Sequence, residues 1–182
     1  MTGGWARRTL DRLYAGSGVV AAAFLVAIFA VVLAQVVLNT LDAALSVVTG
    51  APLGLLLPSY AEFAGYFLAA STFFALAYTF RSGSHIRVTL LVRNLPPGAR
   101  RVAEVWCCAA GAVLAGIATL TAGRLTWESW SYGDVSYGLV PIPIFLPQIA
   151  MTVGLGLLTI AFVDSGLAAA RGGTLPSDGE DD

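Results

Sequence analysis

The side chains that could carry out chemistry are few in this sequence, and most stand alone. The single histidine, His85, lies in an arginine-rich stretch, whereas a haem held by two axial histidines needs a second one. No serine or cysteine stands in a nucleophile elbow, and a chain without lysine has no phosphate-binding GxxxxGK[ST] loop. The sequence therefore predicts no catalytic residue, no metal ligand set and no cofactor.

Two polar positions in apolar surroundings leave alternatives open. Glu62 is either a carboxylate that caps the start of a helix, where the helix dipole favours negative charge, or a proton-coupling group. Gln35 and Asn39, four residues apart on one helical face, form either a hydrogen-bonded seam or a contact for a substrate or ion. The cap and the seam are the favoured interpretations.

The remaining polar pairs have structural interpretations. Arg124 and Glu128 have the spacing of an ion pair along one helix, provided that the helix continues beyond Arg124. Asp164 can pair with an arginine at the membrane rim or stay solvated. The adjacent Cys107 and Cys108 are expected to be small apolar packing residues, because neighbours on a helix point apart.

The composition is that of an integral membrane protein. Charged residues make up 12% of the 182 residues and hydrophobic ones 57%, against roughly 25% charged in soluble domains. A net charge of −1 argues against nucleic-acid binding. Four nearly charge-free stretches predict a single all-α domain of four transmembrane helices, each close to the 20 residues that cross a bilayer. The approximate spans are residues 16–40, 60–80, 103–124 and 147–168.

The arginines predict the orientation. Nine of the ten flank the first helix on its N-terminal side, lie between the second and third helices, or follow the fourth helix. The positive-inside rule then places both termini and the central loop in the cytoplasm. Residues 83–95 alternate apolar and basic side chains, which predicts an amphipathic segment at the cytoplasmic interface. Residues 171–182 form an acidic tail whose composition predicts disorder.

The central loop carries a recognisable pattern. After the second span comes R-x-G-x-H-I-x-V, then L-x-x-x-L-P-P ahead of the third, and the outer loop ends in YGLVPIP before a fourth helix with two glycines. With the four-span plan, this pattern resembles the DctQ-like small membrane subunit of tripartite ATP-independent periplasmic (TRAP) transporters. The resemblance covers about residues 10–170.

The resemblance implies a role in sodium-driven uptake of a small organic acid across the bacterial inner membrane. A periplasmic binding protein delivers the solute, and a large elevator-type subunit holds the substrate and sodium sites. The small subunit is a non-catalytic scaffold in an obligate heteromer with the large one. The family-motif positions, expected to contact lipid headgroups or the large subunit, are Arg81, Gly83, His85, Ile86 and Arg87. A contact with the periplasmic partner is expected at Arg124, Trp127 and Trp130.

Two other functions compete with this interpretation. One is a self-contained small exporter that uses Glu62 as its proton carrier. The other is a membrane anchor for a redox complex. Spans nearly free of ionisable groups argue against an independent carrier, because coupling to an ion gradient usually needs buried charge.

Overall fold

The computed structural model describes residues 3–82 and 96–171, and these fold into four α-helices. Each helix is long and apolar enough to cross a membrane, as the sequence predicts. A bilayer offers no water to backbone N–H and C=O groups, so a helix, which bonds them internally, is the expected spanning structure. The helices are α1 (Gly3–Thr49), α2 (Tyr60–Arg81), α3 (Pro97–Tyr132) and α4 (Phe145–Ala170).

Helix α1 is one uninterrupted helix of 47 residues. At 1.5 Å per residue it is about 70 Å long, more than twice the hydrocarbon thickness of a bilayer. Residues 42–48 belong to the same helix.

Helices α1 and α3 extend beyond the predicted spans at both ends, and α4 begins earlier than predicted. Helix α4 begins at Phe145, two residues before Pro147, because the first N–H groups of a helix have no intrahelical partner and proline is tolerated there. Helix α3 continues to Tyr132, well past residue 124, and ends where Gly133 takes a positive φ of 68°. A left-handed residue, most often glycine, terminates many helices.

The helices contact each other in the order α1, α2, α4, α3, with α1 and α3 at the two edges. The buried residues of the inner helices are small, among them Ala70, Ser71 and Ala77 of α2 and Gly154 and Ala161 of α4. Small residues allow helices to approach closely where the surrounding lipid is as apolar as the side chains. Large apolar side chains mostly point outward.

The bundle has two ends, named here by one residue each. At the Arg81 end, α1 and α3 begin and α2 and α4 finish; at the Glu62 end, the helices have the opposite polarity. The predicted amphipathic segment at residues 83–95 lies outside the described residues, as does the acidic tail beyond residue 171.

Candidate functional site

The Arg81 end holds a charged cluster that joins three helices. Arg81, the last residue of α2, places Nη2 3.2 Å from Asp11 Oδ1 of α1 and Nη1 3.1 Å from Asp164 Oδ2 of α4. Its guanidinium also lies 5.5 Å from the centre of the Tyr14 ring. The Arg81 side chain is only 12% exposed. These contacts offset the cost of removing the guanidinium from water.

The cluster answers one question that the sequence leaves open and bears on one predicted site residue. Asp164 pairs with an arginine, the first of its two expected environments. Arg81 was expected to contact lipid or a partner subunit, and the contacts that the structure gives its guanidinium are with its own chain. The other motif positions lie outside the described residues: Gly83, His85, Ile86 and Arg87.

Glu62, at the opposite end, lies where the loop between α3 and α4 folds over the start of α2. The Tyr66 hydroxyl donates to Glu62 Oε1 at 2.9 Å. The Val140 N–H donates to Ser59 Oγ at 3.0 Å, and a side chain at Gly138 would overlap the Glu62 carboxylate. Glu62 Oε2 is buried without a hydrogen-bond partner among the described residues. The carboxylate is therefore part of a closed contact between loop and helix.

Gln35 and Asp42 of α1 hold the loop that leads into α2. Gln35 Oε1 accepts from a loop N–H at 2.8 Å while its Nε2 donates to Asn39 Oδ1 at 3.1 Å. Asp42 Oδ1 accepts from two more N–H groups, at 2.9 and 3.3 Å. The three loop donors are Leu53, Leu55 and Leu57. Among the described residues, Gln35 and Asn39 thus bond to each other and to the loop, and not to another helix as the seam interpretation expects.

A groove between α3 and α4 opens near the Glu62 end. Trp127 and Trp130 meet edge to face there, with ring centroids 5.4 Å apart. The groove has a volume of about 380 Å³ and an almost wholly apolar lining. The α4 side of the lining is Phe145, Ile149, Thr152 and Val153. Both tryptophans are exposed, as a contact for a lipid or protein partner requires.

Arg124 does not form the ion pair that its spacing allows. Helix α3 does continue past it, yet Arg124 and Glu128 are both exposed and no ion pair between them exists in the described part of the chain. The ion pair that the spacing allows is therefore not formed. Of the two cysteines, Cys107 is exposed and Cys108 is buried, with its Cβ close to Gly166 of α4.

Two sets of interacting residues were not predicted from the sequence. The first is Asp11 and Tyr14 of the Arg81 cluster, although an acid within a basic flank and a tyrosine three residues later share a helix face. Two pairs of threonine hydroxyls also join α3 to α4, at 3.2 and 3.0 Å. Their signal is a seven-residue spacing on each helix: Thr119 and Thr126, Thr152 and Thr159.

These features define a multi-pass membrane protein whose polar side chains mainly fasten its own helices and loops together. The family model for the DctQ component of tripartite ATP-independent periplasmic transporters matches residues 53–172, and the chain belongs to that family. This match confirms the resemblance seen in the sequence. The family is one of transporter components and not of enzymes. No curated protein and no solved structure gives a significant match.

Proposed function

We propose that the chain is the scaffold of its TRAP transporter: it holds a large elevator-type subunit in the membrane and contains no transport site of its own. The family match over residues 53–172 carries the proposal. In this arrangement the large subunit binds sodium and a small organic acid, which a periplasmic binding protein delivers. The assembly is an obligate heteromer in the bacterial inner membrane.

The use of the carboxylates supports a scaffold. Asp11 and Asp164 neutralise Arg81, and Asp42 binds loop N–H groups. Glu62 accepts a hydrogen bond from Tyr66 beneath the loop that contains Gly138. A carrier needs carboxylates that can release and rebind an ion, whereas these carboxylates are engaged in holding helices and loops together.

The orientation proposed for this scaffold places both termini and the Arg81 end in the cytoplasm. Nine of the ten arginines lie on the segments that this orientation makes cytoplasmic. The Glu62 end then faces the periplasm with its apolar loop side chains Tyr137 and Leu139 exposed. Together with Trp127 and Trp130, these side chains are the proposed contact for the binding protein.

The test is reconstitution of transport from separate components. The large subunit is reconstituted in proteoliposomes with and without this chain, and the binding protein and a small organic acid are added outside with and without an inward sodium gradient. We expect uptake only with all three proteins and an inward sodium gradient. Equal uptake by the large subunit without this chain would contradict the scaffold role.

The competing exporter is tested on the chain alone. We expect purified chain in proteoliposomes to move no substrate in response to a proton gradient, and Glu62→Gln to leave the complete transporter active. Proton-driven transport by the isolated chain, abolished by Glu62→Gln, would instead make Glu62 the coupling residue. Tyr66→Phe, which removes the hydroxyl that donates to Glu62, is the matched control.

A further inference from the structure

Helix α3 has one face that contacts nothing else in the described chain. Its opposite side packs on α4 through small residues, including Ala115 and Ala122. Exposed side chains recur at helical spacing along the free side. This outer face of α3 consists of Val102, Trp106, Val113, Ile117, Leu120 and Arg124.

Arg124 is the basic residue of this apolar face, and the exposed Glu128 follows it by one turn. Arg124 stands seven residues after Ile117 and four after Leu120, so all three point the same way. The guanidinium is exposed and makes no ion pair or hydrogen bond with any residue that the structure describes. Arg81, by contrast, has two carboxylates and an aromatic ring around it.

The contacts between α3 and α4 show which residue of α4 lies beside Arg124. The hydroxyls of Thr126 and Thr152 are 3.0 Å apart, and a Cβ at Gly123 would lie 3.7 Å from the Thr152 side chain. Arg124 is therefore level with Thr152, which lies seven residues into α4. At 1.5 Å per residue this is about 10 Å from the beginning of that helix.

The direction of the side chain decides what satisfies the charge. Cα–Cβ bonds in a helix tilt toward its N-terminus, and the N-terminus of α3 is at the Arg81 end. The Cα–Cβ bond of Arg124 consequently points away from the Glu62 end of the bundle, toward its middle. Arginines near the end of a span usually reach headgroups by the opposite course, and an unpaired charge among acyl chains is costly.

We propose that the outer face of α3 is the docking surface for the large subunit, and that Arg124 forms an ion pair with a carboxylate on one of its transmembrane helices. The apolar side chains pack against that helix while the carboxylate neutralises the guanidinium. The inference rests on the proposed function, since it takes the large subunit as the partner. It adds the helix, the face and the chemistry of the contact.

Co-purification of the complex tests the ion pair. The chain is expressed with an affinity-tagged large subunit as wild type, Arg124→Leu, Arg124→Lys and the control Arg171→Leu, which removes an exposed arginine at the end of α4. We expect Arg124→Leu to lower the recovered chain at least tenfold, and Arg124→Lys and Arg171→Leu to stay within threefold of wild type. Arg124→Glu should be rescued by a carboxylate-to-arginine change in the large subunit.

Two further measurements distinguish failure of this inference from failure of the proposed function. Arg124→Leu should unfold like wild type when purified alone, because the side chain is exposed and makes no ion pair or hydrogen bond with the residues that the structure describes. Full recovery of Arg124→Leu with the large subunit would overturn the inference alone, while no recovery of wild type would overturn the proposed function with it. Loss of a bound phospholipid from Arg124→Leu, with the complex intact in native mass spectrometry, would assign the face to lipid and also overturn the inference.

A second copy of this chain is the remaining alternative occupant. Ile117→Cys in a Cys107→Ala, Cys108→Ala background places one thiol on the outer face of α3. We expect oxidation in membranes that contain both subunits to give no crosslinked dimer of this chain. An efficient homodimer crosslink would overturn the inference.

Discussion

Helix α4 has two neighbours, and they approach it in different ways. Toward α2, the backbone of α2 lies directly against Gly154 of α4: a Cβ at Gly154 would lie 2.6 Å from the carbonyl carbon and oxygen of Phe73. Toward α3 the close contact is with a side chain that can move: a Cβ at Gly111 of α3 would lie 2.5 Å from the Phe162 ring of α4. Cβ atoms at Gly123 and Gly156 would lie 3.7 and 3.8 Å from threonine methyl groups, which is ordinary contact.

The difference shows two solutions to helix association in lipid. Apolar surface gives no water-driven attraction inside a bilayer, so helices associate through close packing or polar contacts. Helices α2 and α4 use close backbone approach in the middle and the pair of Arg81 with Asp164 at one end. Helices α3 and α4 instead use hydroxyl pairs along their length.

Removing Arg81 should have the largest effect on stability. Arg81→Leu leaves Asp164, whose side chain is 29% exposed, without its cation and also removes the ion pair between α1 and α2. We expect a loss of about 3 kcal/mol in the free energy of unfolding, as for other broken buried ion pairs. Unfolding in detergent by titration with SDS, followed by tryptophan fluorescence, measures it.

The double variant Arg81→Leu, Asp164→Leu is the control for this prediction. It removes both charges, so it should recover part of the loss while Asp11 stays free to be solvated. Equal stability of wild type and Arg81→Leu would mean that the cluster contributes nothing to holding the helices together.

Adding a methyl group at Gly154 should have the second-largest effect on stability. Gly154→Ala forces α2 and α4 apart, because the obstacle is the backbone of Phe73 and not a movable side chain. We expect a cost of about 2 kcal/mol, typical of overpacking. Gly156→Ala, two residues along the same helix but facing α3, should be neutral or slightly stabilising, since alanine favours helix. Equal effects of the two substitutions would contradict the asymmetry between the neighbours of α4.

Much of the fold could be predicted because its signals are local. Four charge-free stretches of spanning length indicate four helices, and the motif that ends in two prolines indicates the family. The order of packing could not be predicted, because it depends on which small residue meets which backbone. Nothing in the glycines at 154 and 156 distinguishes the one that touches Phe73 from the one that faces α3.

The polar contacts show the same limit. Gln35 bonds to Asn39 on its own helix and to the Leu57 N–H of the loop instead of to another helix, because an amide in an apolar helix takes the partner that lies nearby. Arg81 could be recognised as a motif position, but its carboxylates lie 70 residues before it and 83 residues after it, and only the fold brings them together. Arg124 and Glu128 show the converse, since both side chains are exposed and their favourable spacing gives no ion pair in the described part of the chain.

A smaller effect on stability is expected from replacing Arg101, the residue of α3 that donates hydrogen bonds to the last carbonyls of α4. Arg101 Nε donates to the Ala169 carbonyl at 3.0 Å, and its Nη2 to that of Ala170. These carbonyls lie in the last turn of α4, where helices leave C=O groups unpaired. Arg101→Gln should lower the unfolding free energy by about 1 kcal/mol. The control is Glu104→Gln, which removes only an ion pair within α3 and should cost about 0.3 kcal/mol.

The smallest expected effect is the coupling between hydroxyls on the α3 side of α4. The hydroxyl oxygens of Thr119 and Thr159 lie 3.2 Å apart, and each also lies within hydrogen-bond distance of a carbonyl of its own helix. Each hydroxyl has one hydrogen to donate, so either one alone still has an acceptor. A double-mutant cycle with Thr119→Val and Thr159→Val should give a coupling of about 0.6 kcal/mol, the usual value for polar contacts between membrane helices. Thr121→Val, at an exposed hydroxyl that bonds only within α3, should show no coupling to Thr159→Val. A coupling as large as the effect of Gly154→Ala would mean that hydroxyl pairs hold α3 as tightly as close backbone approach holds α2.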